Sequence, residues 1–449
     1  MSATPPLHGP ATAAGLTHGL TAHLWRATPR LNGLLWIFGL GSGLLWGGLA
    51  YTFVTGIGTW GNNIPVSWGY GITNFVWWIG IGHAGTFISA VLLLLEQKWR
   101  TSINRLAEAM TLFAVLNAGL YPIAHMGRPW FFYWLLPYPS TMGVWPQFKS
   151  PLTWDVVAIT TYLAVSLLFW YVGLVPDLAV ARDTAPTRLR RRVYGVFALG
   201  WSGSAHHWHH YRVIYGLMAA LATPLVVSVH TVVSLDFCVT KVPGWHSTLF
   251  PPFFVAGALL SGFAMVLTLV IPVRAALGLH DVITARHLDA MAKIVLVTGS
   301  MVGYSYLVES FIAWYSHDPH EAFMYLTERP TGAYRAVYWV SVVGNVVAPQ
   351  IFWWRRARQS LAALLGVALA VHLGMWSERF IIVVTSLSRD FLPASWRLFV
   401  PSVVDWALFA GTLSFFAFAF LLFLKWVPSI PISELKELAH EGIGEAPHA

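Results

Sequence analysis

Charge is what this sequence has least of. Only 10% of its 449 residues are charged, while 56% are hydrophobic. A soluble domain carries about one quarter charged residues, so a globular surface of this size would be left uncovered. Long apolar runs recur along the chain, and the reading is one polytopic membrane body rather than a set of soluble domains. Cysteine is nearly absent. The single Cys238 excludes an internal disulfide and any all-cysteine zinc or iron–sulfur site held by this chain alone. Within 1–30 no short apolar core precedes a small-residue cleavage site. No cleaved leader is expected, and the first apolar run, from Leu31, is expected to span and stay. Strand-borne glycine loops are missing too. "IFGLGSGLLWGG" and "WWIGIGHAGTF" lie inside apolar runs, where small residues let helices pack closely.

What is present is ten apolar segments long enough to cross a bilayer. They are 33–57, 70–95, 106–127, 152–175, 212–237, 249–273, 286–314, 334–354, 359–384 and 399–426. Pro122 interrupts the third, which membrane helices tolerate when neighbours satisfy the freed backbone groups. Residues 128–151 hold five prolines among many aromatics and read as an interfacial loop. Lysine and arginine alternate loop by loop, 18 against 8, with Lys293 inside the seventh segment. The positive-inside rule therefore places both termini in the cytoplasm. The net charge of +8 follows this pattern and does not point to nucleic acid.

Ionisable residues in such segments cost roughly 2.5–3.5 kcal/mol on insertion and are candidate functional groups. His83 falls near mid-membrane. His125, Asp155, His230, Asp236, Glu309, Glu378, Arg379 and Asp405 fall towards outer ends. Asp289 and Lys293, spaced i, i+4, read as a local ion pair. Glu378, Arg379 and Asp405 read as side chains that snorkel to water, and His230 and His372 as packing groups. "SAHHWHHYR" has no cysteine or carboxylate at ligand spacing, so it reads as a solvated loop touching headgroups, with no metal site.

The pairing that stands out lies around "YPIAHMGRPWFFYWLLPYP". There His125 and Arg128 end one segment, and Asp155 lies one turn into the next. An imidazole, a carboxylate and a guanidinium beside many rings, at a depth open to lipid, suit a quinone headgroup. Its oxidation from the quinol releases two electrons and two protons; His125 is expected to accept from one hydroxyl, with Asp155 orienting the imidazole or taking the second proton. With no metal centre in the chain, the electrons require a partner subunit.

These stretches, with "NNIPVSWGYGITNFVWWIGIGHAGTFISA", "SVHTVVSLDFCVTKVPGWHSTLF" and "GYSYLVESFIAWYS", resemble the membrane subunits of the NrfD/polysulfide-reductase family, most like the ActC subunit of alternative complex III. The resemblance implies an all-α polytopic fold of two four-helix bundles, spans 2–5 and 6–9, flanked by spans 1 and 10. It divides the chain into a tail over 1–32, a first half over 33–237 holding the quinol site, a second half over 238–426, and a tail over 427–449. It implies menaquinol bound near the periplasmic face by His83, His125, Arg128 and Asp155, with His125 and Asp155 catalytic. It offers Asp236 and Glu309 as proton-pathway candidates, to which Asp289 and Lys293 are added as the ionisable pair of span 7. The implied partners are a periplasmic iron–sulfur subunit, multihaem cytochromes, a paralogous NrfD-like membrane subunit and small membrane subunits. Iron–sulfur clusters and haems would sit in those partners only. The setting implied is a respiratory or photosynthetic chain in a bacterial cytoplasmic membrane, with proton release or translocation.

Three alternatives stay open. The first is a quinone-reducing anchor of a molybdenum or polysulfide oxidoreductase. The second is a b-type cytochrome using His83, His125, His230 and His372. The third is a secondary transporter built on an inverted repeat.

Overall fold

The computed structural model describes residues 13–25, 28–135 and 150–437. The described residues contain helices and no strand. Ten helices are long and apolar enough to cross a membrane. A short helix α1 (Ala13–Trp25) precedes them. The spans are α2 (Pro29–Thr55), α3 (Gly69–Leu94), α4 (Asn104–His125) and α5 (Pro151–Thr184). After a short α6 (Arg188–Phe197) come α7 (Ala205–Cys238), α8 (Phe250–Ala276), α9 (Ala285–Tyr315), α10 (Arg335–Trp353), α11 (Leu361–Ser388) and α12 (Val403–Trp426).

The helix starts are written in the local sequence. Pro29 and Pro151 sit in first turns, where a missing N–H costs nothing. Ser204 and Ser360 cap α7 and α11, and Ser402 with Asp405 forms a reciprocal capping box on α12. Pro122 does not end α4, which continues to His125. Two expected bounds are corrected. α5 runs on through Pro176 to Thr184, because Asp177 has buried partners beyond the apolar core. α7 begins at Ala205, so "HHWHH" forms its first turns and is not a loop.

Packing follows the expected plan. α3, α4, α5 and α7 close one four-helix ring, and α8, α9, α10 and α11 close a second. α2 and α12 pack on each other and flank the first ring through α4. α3 is the central element and touches α8 and α11 as well as its own ring. The glycines of "IGIGHAGTF" make this possible. A Cβ on Gly85 would strike the Ala107 carbonyl, and one on Gly262 would strike Ala84. Ten crossings place both described ends of the chain on one face. We call it the Asp177 face and the opposite one the Asp155 face. The middle of the proline-rich stretch, 136–149, lies outside the described residues.

Residues 428–435 do not trail away as a free tail. Ser429, Ile430, Ile432 and Leu435 are buried. Ser433 donates to Asp177 at 3.1 Å and Glu434 pairs with Arg100 at 2.7 Å, sealing the Asp177 face of the first bundle.

Candidate functional site

At the Asp155 face, α4 ends and α5 begins beside the C-terminal end of α7. His125 is the last residue of α4, and its Nε2 lies 2.9 Å from the Ser67 carbonyl. Its ring meets Trp60 edge-on at 5.9 Å. The imidazole is therefore oriented by Ser67, not by Asp155 as expected. Arg128 follows Gly127, whose φ of 69° makes the turn, and is exposed. Asp155 is buried, and the side chain it meets is Asp236, two residues before the end of α7. The two carboxyl groups face each other across α5 and α7, and two acids this close form a place where one proton can be shared. No lysine or arginine offsets either acid among the described residues. Oδ1 of each is buried with no partner. Trp68, which follows Ser67, stacks on Trp245 at 5.3 Å, and Phe237, which follows Asp236, meets Trp245 edge-on. On the lipid side, Val157 and Val239 are exposed.

His83 is not at this end. It lies midway along α3, buried, with Nδ1 on the Ile79 carbonyl at 2.7 Å. Its neighbour is His230 of α7, Nδ1 to Nδ1 at 3.1 Å, so His230 is half of a buried pair at mid-depth and not an outer-end packing group. Tyr162 stacks on His83 at 4.6 Å. The Nε2 atoms of both histidines have no partner, and both rings line a cavity of about 10 Å³, room for one water. Ring centroids 4.7 Å apart leave no space for a porphyrin between the pair, which argues against the b-type cytochrome reading here. His372 bonds Thr268 at 3.2 Å, a packing role as read.

The second bundle holds a different cluster. Glu378 and Arg379 do not snorkel. They are buried and paired at 2.8 Å. As chain neighbours they meet without hydrogen-bond alignment, and Arg379 lies over the Phe254 ring at 4.2 Å. Tyr306 donates to Glu378 at 2.5 Å and Asn345 at 3.2 Å. Glu309 faces Arg329 and Tyr325, and the Arg329 guanidinium lies over the Tyr325 ring at 3.9 Å. Three π-helical turns frame the group: Phe323–Glu328, Val343–Val347 and Ile381–Thr385. Such turns favour functional or strained sites. The enclosed cavity is about 30 Å³ and is lined by Glu309, Arg329 and Glu378 among others. Asp405 is also buried, accepting from the Gly61 backbone at 2.8 Å.

Asp289 pairs with Lys293 at 2.6 Å, as its spacing predicts, and also with Arg358 at 2.7 Å. The histidine cluster holds no metal-competent group of three among the described residues. Instead His207 accepts from the Ser202 backbone at 3.1 Å, and His210 bonds the His206 carbonyl.

Sequence reasoning missed a buried network at the Asp177 face. Arg105 donates to Asp177 at 3.0 Å and lies 3.6 Å from Glu108, which accepts from Ser89 and Tyr215. The i, i+3 spacing of Arg105 and Glu108 was a usable signal. By position Arg105 and Arg379 count as loop charges, yet both are buried.

Comparison with known proteins bears on this arrangement. Residues 59–389 match the family model described as "Polysulphide reductase, NrfD". The chain is 26% identical over 329 residues to a putative dimethyl sulfoxide reductase membrane subunit of Halobacterium salinarum, covering 70% of this chain and 66% of the relative. It is 22% identical over 404 residues to a selenate reductase subunit of Mesobacillus selenatarsenatis, covering 84% and 89%.

Proposed function

Since the chain belongs to the NrfD polysulphide reductase family, we propose that it is the quinone-exchanging membrane subunit of a molybdenum-type oxidoreductase complex. The observation that carries this reading is the pair of Asp155 and Asp236 at the end of the first bundle, with no lysine or arginine beside it among the described residues and with a buried, unpartnered Oδ1 on each acid. The names of the two reductase relatives favour this partner chemistry over an alternative complex III assembly. A reductase consumes electrons, so quinol is the donor and this chain acts on its oxidation. That keeps the direction implied by the resemblance to ActC and changes the partner.

The residues fit a quinol headgroup by their chemistry. Two unpartnered carboxyl oxygens can accept from hydroxyl groups, and the aromatic cluster of Trp68, Trp245 and Phe237 adjoins Ser67 and Asp236 in the chain. When bound, menaquinol or a related quinol would supply two electrons and two protons. Asp155 takes one proton on Oδ1, while Asp236 holds the shared proton and keeps Asp155 oriented; the second proton goes to Nδ1 of His125, whose Nε2–H donates to the Ser67 carbonyl. His125, fixed by Ser67, and exposed Arg128 border the approach. The electrons pass to iron–sulfur clusters in a partner subunit. We place the Asp155 face at the periplasmic side of a bacterial cytoplasmic membrane, from the alternation of lysine and arginine. Glu309 and the His83–His230 pair are candidates for moving protons further. Asp289 and Lys293, locked with Arg358, are better suited to a structural role.

The test is purification of the tagged chain with its native partners. Molybdenum in the complex, together with quinol-driven reduction of dimethyl sulfoxide or selenate, is expected. A complex without molybdenum that contains multihaem cytochromes would overturn the reading.

A further inference from the structure

The segment "RLRRRVYGVF" lies far from the acid pair. It forms α6, and its three faces differ. One face is held by the protein. Tyr194 is buried, meets Trp25 edge-on at 5.7 Å and donates to the Trp426 carbonyl at 2.8 Å. Arg190 lies 5.5 Å over both Trp25 and Trp426. A second face carries Leu189, Val193, Val196 and Phe197, at i, i+4, i+7 and i+8, and all four are exposed. A third carries Arg188, Arg191 and Arg192, also exposed. The helix itself has no acidic residue.

Depth separates the two exposed faces. The Phe197 carbonyl accepts from the Tyr171 hydroxyl at 2.8 Å. Tyr171 lies more than three turns before the end of α5, about 20 Å back along its axis. The chain thus leaves the top of α5, turns, and dips its apolar end back alongside the span. Leu199, just beyond, is 68% exposed there. The arginine-bearing end starts near Thr187, and α6 is about 15 Å long. Gly200 and Gly203, both at a φ of 72°, then turn the chain into α7. Trp201 and Trp208 pack edge to face at 5.0 Å beside that turn, the residue type favoured at headgroup level.

We propose that α6 is an interfacial helix that binds anionic phospholipid, with Arg188, Arg191 and Arg192 on headgroup phosphates and Leu189, Val193, Val196 and Phe197 in the acyl boundary. An apolar stripe that deepens away from its arginines matches the polarity gradient of a bilayer. An acidic protein partner would match the arginines and leave the stripe in water. Each arginine near an anionic surface contributes about 1 kcal/mol, so three give a selectivity of roughly 10²-fold at most.

The test uses the full chain in nanodiscs of phosphatidylcholine with one quarter phosphatidylglycerol. Native mass spectrometry reads the phosphatidylglycerol retained after detergent exchange. Separately, Val193→Cys in a Cys238→Ser background carries an environment-sensitive dye, read with lipid-embedded and aqueous quenchers. The expected result is phosphatidylglycerol retention that falls at least about threefold in the R188Q/R191Q/R192Q variant and is restored in R188K/R191K/R192K, with the dye quenched from lipid. Restoration by lysine separates lost charge from misfolding. Unchanged retention in the glutamine variant would overturn the proposal. So would a dye quenched from water in the nanodisc, including one protected only after partner subunits are added, which would assign the face to protein docking.

Discussion

The cluster in the second bundle and the Asp155 end of the first treat buried charge in opposite ways, while the Asp177 end of the first bundle pairs its acids with arginines. In the second bundle every acid of the cluster faces an arginine: Glu378 meets Arg379, and Glu309 meets Arg329. Three π-helical turns and Gly244 accommodate that packing. Gly244 has a φ of 83°, and a Cβ there would lie 2.8 Å from Met324 and Ser386. Its carbonyl accepts from Arg329 at 3.0 Å, and its N–H meets Glu321. In the first bundle, at the Asp155 face, two acids lie on regular helices with no lysine or arginine beside them among the described residues. The Glu378–Arg379 pair, also bonded by Tyr306 and Asn345, is suited to holding shape. Under the proposed function, the acid pair at the Asp155 face, with an unpartnered Oδ1 on each acid, is where protons are exchanged.

The comparison can be broken at either end. The largest effect is expected at Glu378→Ala, which leaves Arg379 buried and unpaired. We expect a loss of about 3–5 kcal/mol, read as a fall in Tm and in assembled complex. If stability is untouched, the second cluster is not structural. Next is Asp155→Asn in the assembled complex, with quinol oxidation lowered about 10²-fold at unchanged Tm. Asp236→Asn should give a loss of similar kind and smaller size, about tenfold, since it removes the shared proton's second holder and not the first acceptor. Activity retained in Asp236→Asn with Asp155→Asn inactive would reduce Asp236 to a packing group. The smallest effect is expected at Arg128→Gln. This exposed side chain should change the KM for quinol by about threefold and leave kcat intact, consistent with surface electrostatics near 1 kcal/mol.

Much of this architecture was legible in the sequence, and the illegible part has a common cause. Length and apolarity set the ten spans, and proline and serine marked several helix starts. The i, i+4 pair of Asp289 and Lys293 could be read locally. Asp155 and Asp236 could each be placed near a helix end, but nothing local says that α5 and α7 bring them together. His83 and His230 are likewise joined only by the contact of α3 with α7. The adjacent opposite charges of Glu378 and Arg379 look like helix-end side chains. α11 instead continues to Ser388 through a π turn and buries them. Sequence period fixes the depth of a group. Lateral neighbours, which decide its chemistry, come from packing.

The most direct measurement is photolabelling of the assembled complex with an azido-substituted menaquinone analogue, followed by peptide mapping. The account predicts label within 121–160 and 230–245, where α4, α5 and α7 meet around Asp155 and Asp236, and its loss when excess unlabelled quinone competes. Competable label concentrated instead around Glu309, Arg329 and Glu378 in the second bundle would contradict it.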